Sequence, residues 1–221
     1  QHSHWKLLPE RAAIQLNDTH PALAIPELMR LLMDRERLGW NEAWEITVNT
    51  FAYTNHTVMP EAMETWRTAL LGKLLPRHLE IIYEINRRLL DRVAERYPGD
   101  TARMNRMSLI ETGHEPKVRM AHLAIIGSHS INGVSALHTQ ILKDRVLRDF
   151  YEFYPERFNN KTNGITPRRW LKKANAPLAG LITDAIGDGW VTDLDQLRKL
   201  ADFADNEEYQ NRWREGKQLN K

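Results

Sequence analysis

The sequence predicts an α/β protein, and three observations carry that prediction. Short apolar segments alternate with longer segments of helical period. The strongest apolar stripe recurs every three or four residues over residues 74–97. Three apolar stretches run directly into polar clusters rich in Asn, Asp, Thr and His. Alternation of this kind suits a layered fold, because each element must bury one apolar face against another layer.

Taken in order, residues 13–16 form a short apolar segment that leads into Asn17-Asp18-Thr19-His20-Pro21. A helix follows, with Leu23, Leu28, Leu31 and Leu32 on its buried side. Asp18 or Thr19 can cap it, and Pro21 is tolerated near its start because a first-turn N–H has no partner there. Residues 41–48 predict a second helix and residues 51–54 a strand. In the long stripe, Leu75, Leu79, Ile82, Ile85, Leu89 and Val93 share one face with charges opposite, and Pro98-Gly99-Asp100 stops the helix. Leu109-Ile110 reads as a short strand. Residues 120–127 are an apolar run too short for period to classify. Asn132-Gly133 reads as a turn, and a helix follows over 135–144. From Phe158 the texture changes to a polar stretch, Asn159-Asn160-Lys161-Thr162-Asn163-Gly164, the candidate domain junction. It leads into Thr166-Pro167-Arg168-Arg169-Trp170, where Thr166 can be an N-cap and Pro167 the first helical residue. Short helices over 178–186 and 194–203 complete the chain, with no internal repeat.

Composition narrows the function classes. The 221 residues can bury a sizeable core in one or two domains. An apolar content of 42% with 27% charged residues is ordinary for a globular protein. A net charge of +2 demands neither a nucleic acid nor a membrane as partner. The chain has no cysteine, which removes disulfides and thiolate chemistry and suits a reducing compartment. No apolar run approaches a membrane span, and the start lacks a signal pattern. The chain opens on Gln1 and closes over 211–221 without a clear terminator, so both ends are expected to lie inside a longer polypeptide.

The polar clusters are Leu16-Asn17-Asp18-Thr19-His20, Tyr53-Thr54-Asn55-His56-Thr57 and Gly127-Ser128-His129-Ser130-Ile131-Asn132-Gly133. Ligands of open α/β sheets bind where such loops leave the strand ends, and these side chains supply the directional donors and acceptors a sugar needs. The same residue types also cap helices, turn chains and fill cores, so each cluster has a purely structural reading. The nine histidines never adopt a tight metal-ligand spacing, so no metal site is expected. Glu61 and Glu64 share one face of a turn; they are either paired carboxylates or surface charge, and surface charge is the better reading. No Gly-rich phosphate loop occurs, and Asn160-Lys161-Thr162 matches a glycosylation sequon by chance. Lys161, Arg168 and Arg169 with Trp170 are either an anion site or a solvated basic face.

Four longer motifs carry a family resemblance. They are Ala13-Ile14-Gln15-Leu16-Asn17-Asp18-Thr19-His20-Pro21, Phe51-Ala52-Tyr53-Thr54-Asn55-His56-Thr57, Leu75-Pro76-Arg77-His78-Leu79-Glu80-Ile81-Ile82-Tyr83-Glu84-Ile85-Asn86 and Asn160-Lys161-Thr162-Asn163-Gly164-Ile165-Thr166-Pro167-Arg168-Arg169-Trp170. Together they resemble the α-glucan phosphorylases of the glycogen, starch and maltodextrin type, in the family's order and over residues 11–203. The resemblance implies the two-domain GT-B architecture with a cleft between Rossmann-like domains. Residues 1–158 would be the later part of the N-terminal domain, and residues 159–221 the junction and start of the C-terminal domain. It also turns residues 120–127 into a helix.

The resemblance further implies a reaction and roles. The family cleaves terminal α-1,4 bonds of a glucan with inorganic phosphate, releases α-glucose 1-phosphate, and uses the phosphate group of pyridoxal phosphate. His56 falls at the histidine that contacts the glucosyl 6-hydroxyl and offers its backbone carbonyl to developing oxocarbenium charge. Asn163 falls at the asparagine that holds the same hydroxyl. Asp18 and His20 would line the pocket beside the anomeric carbon, and Thr57, Ala62 and Glu64 its far wall. Val134 would lie close to sugar and cofactor, and Trp170 would pack near the cofactor.

The cofactor lysine and the basic pair that holds substrate phosphate would lie beyond Lys221, so the 221 residues alone are expected to be inactive. The family implies a cytoplasmic enzyme, usually a homodimer, acting on α-1,4-glucan and phosphate without nucleic acid or membrane. Two other readings stand beside it: a non-catalytic carbohydrate-binding or interaction fragment of the same fold, and a nucleotide-sugar glycosyltransferase. The second is disfavoured because the phosphorylase-type motifs extend over most of the chain.

Overall fold

The computed structural model describes residues 2–221, which divide into two compact units, one reaching to Thr162 and the other spanning Asn163–Lys221. Each is α/β or helical in its own right and is described separately.

The first unit is built on a four-stranded parallel sheet. Its strands are β1 (Ile14–Asn17), β2 (Phe51–Thr54), β6 (Ser130–Gly133) and β7 (Phe158–Asn160), in the order β1-β2-β6-β7. The register pairs Leu16 with Tyr53, Tyr53 with Ile131, and Ile131 with Phe158. Parallel neighbours require a crossover, and each here contains helix. Ala24–Arg30 and Trp40–Thr50 link β1 to β2, and Ala136–Ile141 and Arg148–Phe153 link β6 to β7. A second sheet is antiparallel, ordered β3-β5-β4 from Thr65–Arg67, Lys117–Arg119 and Ile110–Glu111, and lies in the long connection between β2 and β6.

The predicted long helix spans Pro76–Arg96 and buries Ile81, Ile82, Ile85, Leu89 and Val93. Burying an aliphatic side chain of this kind stabilises by about 1.5–3 kcal/mol, so the stripe is a main contributor to the core. Residues 120–126 form the helix Met120–Ile126, buried on almost every side, which is why no amphipathic period was visible there.

Three local expectations are corrected. The helix after β1 starts at Ala24 with no side-chain cap; Asp18 instead accepts the Thr19 N–H at 2.7 Å and closes the turn. Its fully buried face is Ile25, Met29 and Leu32, while Leu23, Leu28 and Leu31 are only partly covered. Asn132-Gly133 does not turn the chain; both residues belong to β6. Turn chemistry and a strand end demand similar residues here, because Gly133 allows a close approach. A Cβ on it would fall 2.5 Å from Thr139 Oγ1 and 2.9 Å from Thr139 Cα.

The second unit is helical. Arg168–Lys173, Ala176–Ile186, Leu194–Phe203 and Glu207–Leu219 are its main elements. Its core gathers Ala179, Ile182 and Trp190, with the Trp190 indole N–H donated to Thr183 Oγ1 at 3.1 Å. The turn at Pro167 has no side-chain cap, and the Trp170 N–H reaches the Thr166 carbonyl at 3.0 Å.

Candidate functional site at the strand ends

Parallel strands leave their polar loops at one edge, so β1, β2 and β6 deliver Asp18, His56 and Val134 to the same end of the sheet. Asp18 continues the ladder, its N–H donated to the Thr54 carbonyl at 3.0 Å, and then adopts φ +67°, a left-handed conformation that Asp tolerates better than most residues. The next residue turns sharply: Thr19 Oγ1 donates to Glu64 Oε2 at 2.8 Å, which draws the β1 loop against the segment before β3. Glu64 Oε1 also accepts the Trp66 indole N–H at 2.8 Å, and His20 Nδ1 stands 3.7 Å from Glu64 Oε2. Glu64 is therefore a fixed acceptor joining two loops, and surface charge is not its role.

His56 donates from Nε2 to Asn17 Oδ1 at 2.5 Å, because an amide oxygen can only accept. Its Nδ1 has no hydrogen-bond partner among the described residues. The neighbouring Asn55 is fully buried and organises the loop from inside. Asn55 Nδ2 donates to the Tyr53 hydroxyl at 3.0 Å, and Asn55 Oδ1 accepts the Thr57 N–H at 3.1 Å and His138 Nε2 at 3.0 Å. His138 Nδ1 accepts the Val134 N–H at 3.0 Å, which assigns the proton to Nε2. Burial holds the His138 pKa below its usual value, so the ring is neutral, as an acceptor at Nδ1 must be. Burial likewise raises the Tyr53 phenol, which stays protonated.

A further chain crosses the sheet. Gln15 Nε2 donates to Thr54 Oγ1 at 2.8 Å, Thr54 Oγ1 to Asn132 Oδ1 at 2.9 Å, and Asn132 Nδ2 to the Gly133 carbonyl at 2.9 Å. Thr139 Oγ1 donates to Asn160 Oδ1 at 3.2 Å, and Asn160 Nδ2 to Thr162 Oγ1 at 3.0 Å, so the sequon asparagine is already engaged.

The structure brings some of the predicted residues together and leaves others apart. Asp18, His20 and Glu64 are joined through Thr19, and Thr57 and Val134 through Asn55 and His138, while His56 is tied to Asn17. Ala62 occupies the short turn Pro60–Ala62, exposed, with its N–H donated to the Met59 carbonyl at 3.0 Å. Asn163 and Trp170 belong to the second unit; Asn163 is exposed, and Trp170 is 64% exposed. Lys161 Nζ donates to Asn159 Oδ1 and Arg168 Nη1 to the Val191 carbonyl. Asn17, Asn55, Asn132 and His138 form the supporting network that sequence reasoning missed. Asn17, Asn55 and Asn132 each lay in one of the polar clusters; only His138, in an ordinary helical stretch, carried no signal. Among the described residues no group of three or more His, Asp or Glu is placed to hold a metal ion. Among the described residues no helix is long and apolar enough to cross a membrane.

Comparison with known proteins places this arrangement in context. The Phosphorylase family (carbohydrate phosphorylase) matches residues 1–221. The chain is 58% identical over 207 residues to the muscle form of glycogen phosphorylase from Homo sapiens, covering 94% of this chain and 25% of that protein. The same figures hold for the muscle form from Bos taurus. The brain form of glycogen phosphorylase from Rattus norvegicus is 58% identical over 205 residues, 93% of this chain and 24% of the relative. The chain thus spans about a quarter of the length of the curated relatives it matches.

Proposed function

The chain belongs to the carbohydrate phosphorylase family, and on that premise we propose that it supplies the sugar-facing part of an α-1,4-glucan phosphorylase. The whole enzyme would release α-glucose 1-phosphate from glucan chain ends with inorganic phosphate. The observation that carries this reading is the convergence of Asp18, His56 and Val134 at one end of a parallel sheet, each held by a hydrogen-bonded neighbour.

The geometry supports specific tasks. With His56 Nε2 committed to Asn17, Nδ1 is the ring nitrogen left to make a hydrogen bond with a glucosyl 6-hydroxyl. Fixing the ring also fixes the His56 backbone carbonyl, a dipole suited to developing positive charge at the anomeric carbon. Asn163 is assigned to the same hydroxyl. Asp18 and His20 are assigned to the anomeric side and Thr57, Ala62 and Glu64 to the far wall. Glu64 is suited to a wall position, since Thr19 and Trp66 donate to its two oxygens and hold it in place.

We further propose the GT-B architecture for the whole enzyme, with the two domains dividing this chain near Asn160 at the 158/159 boundary. Pyridoxal phosphate would supply proton transfer through its phosphate group. Of this chain, Val134 and Trp170 would border it, and the uncovered Trp170 indole offers the flat apolar face a pyridine ring packs on. A cytoplasmic homodimer completes the proposal. The test is direct: the full-length protein with glucan and phosphate releases α-glucose 1-phosphate, and the 221 residues alone release none. Absence of product from cofactor-loaded full-length protein would overturn the reading.

A further inference from the structure

The first unit contains a cleft of about 590 Å³ that none of the proposed sugar contacts lines. Four separate elements aim arginines at it: Arg103 and Arg106 from helix Thr101–Met107, Arg119 from β5, Arg145 from the turn Leu142–Val146, and Arg148 from helix Arg148–Phe153. Asp149 is the one acidic residue in its lining.

Part of that charge is answered and part is not. Arg103 pairs with Glu152 at 2.6 Å and lies 3.3 Å from Asp100 and 3.5 Å from Asp149. Arg106 forms a fork with Asp149 at 2.6 and 3.0 Å, and Arg148 reaches Glu152 at 2.8 Å. Three carboxylates therefore serve three guanidiniums. Arg119 has only neutral partners, the Asn105 and Ser108 carbonyls at 3.0 and 3.1 Å. These hold its guanidinium in place without cancelling its charge. Arg145 is exposed and has no acid or hydrogen-bond partner among the described residues. Arg103 adds Nε and Nη1 atoms that are buried without a hydrogen-bond acceptor.

The rest of the lining is low in polarity. Val146, Leu147 and Phe150 contribute, and His122 stands edge-on to Phe150 with ring centroids 4.8 Å apart. His122 donates from Nδ1 to the Ser108 carbonyl at 2.9 Å, and burial depresses its pKa to about 4, so this ring is a neutral wall and not a sixth cation. Uncancelled guanidiniums beside an apolar wall interact more strongly with an anion than they would in open water. The planar guanidinium fork matches the oxygens of a phosphoryl group. An adjoining, more apolar pocket of about 430 Å³ shares Arg119, His122 and Arg145 and adds Val58, Met63 and Ala121, with the carboxylates Glu64 and Glu111 also in its lining. It offers room for the organic part of an ester.

From this we propose that the cleft, whose own lining includes none of the proposed sugar contacts, is an oxyanion site whose ligand is a phosphoryl group carried by a phosphate monoester or by free phosphate. Equilibrium dialysis of the full-length protein tests it, with labelled inorganic phosphate and phenyl phosphate as probes, on wild type, Arg119→Gln, Arg145→Gln and the double variant. Each single variant is expected to weaken the site by roughly tenfold, the loss of one charge-assisted hydrogen bond. The double variant is expected to bind one phosphate fewer per chain. Phenyl phosphate binding tighter than phosphate identifies an ester as the ligand, and equal binding identifies the free ion. Arg145→Gln removes no contact, so its fold is retained and its result stands alone. Unchanged stoichiometry and affinity in the double variant would overturn the site, and because binding is read without turnover, the result is independent of whether the protein is a phosphorylase.

Discussion

His138 and Asn55, 83 positions apart, are joined by a 3.0 Å hydrogen bond from the imidazole Nε2 to the amide oxygen. With Val134 N–H donated to the other ring nitrogen, this one neutral histidine fastens the loop after β2 to the loop after β6. The proposed sugar residues Thr57 and Val134 thus depend on a side chain outside the proposed set.

His138→Ala is therefore expected to lower stability by about 1–3 kcal/mol, since it strands the Val134 N–H and one acceptor site of a buried amide. Urea unfolding of the variant against wild type measures it. A change within error would mean that the two loops are held by the sheet alone.

Gly133→Ala tests the close approach of β6 to the following helix. The added Cβ meets Thr139 Oγ1, Cα and N at 2.5, 2.9 and 3.0 Å, and two of those atoms are backbone, which side-chain rotation cannot relieve. Overpacking of this sort costs about 1–3 kcal/mol. The companion Thr139→Ala should restore little, because the backbone contacts persist.

Acid should destabilise the first unit through His122. Burial depresses its pKa from 6.5 to about 4, despite the favourable Ser108 carbonyl. The unfolded chain then binds a proton that the folded chain refuses, so this contribution is complete above about pH 6.5 and is lost as pH falls towards 4. The loss is of order 3 kcal/mol at most. Stability against pH for His122→Asn, which keeps a donor for Ser108, is expected to be flatter over that window. An unchanged acid limb would assign the dependence to other groups.

The sugar contacts are tested by crossing two variants with two substrates in the full-length protein. His56→Ala and Asn163→Ala are each expected to lower kcat/KM by roughly ten- to a hundredfold, with His56→Ala at least as damaging. A glucan analogue lacking the terminal 6-hydroxyl should narrow both gaps, because the contact is absent from every combination. Equal losses with both substrates would return His56 and Asn163 to structural roles.

Periodicity alone was sufficient for the long helix, because it is governed by neighbours three or four residues away. The polar clusters that end β1 and β2 were equally visible, since directional side chains after an apolar strand are a local pattern. Asn132-Gly133 was misread for the same reason: a close backbone approach and a turn both call for small, adaptable residues, and only the position of Thr139 separates them. The pairing of Glu64 with Thr19, of Asn55 with His138 and of the five arginines around one cleft joins residues that share no local pattern. Hydrogen bonds and charge act through a few ångströms of space whatever the separation along the chain. The sequence by itself therefore determined the long helix and several other elements, the loops that carry polar groups and the family resemblance. Which of those polar groups face one another, and which charges go unanswered, was decided by the tertiary structure, because only the packing of the sheet and its crossovers brings distant residues within bonding range.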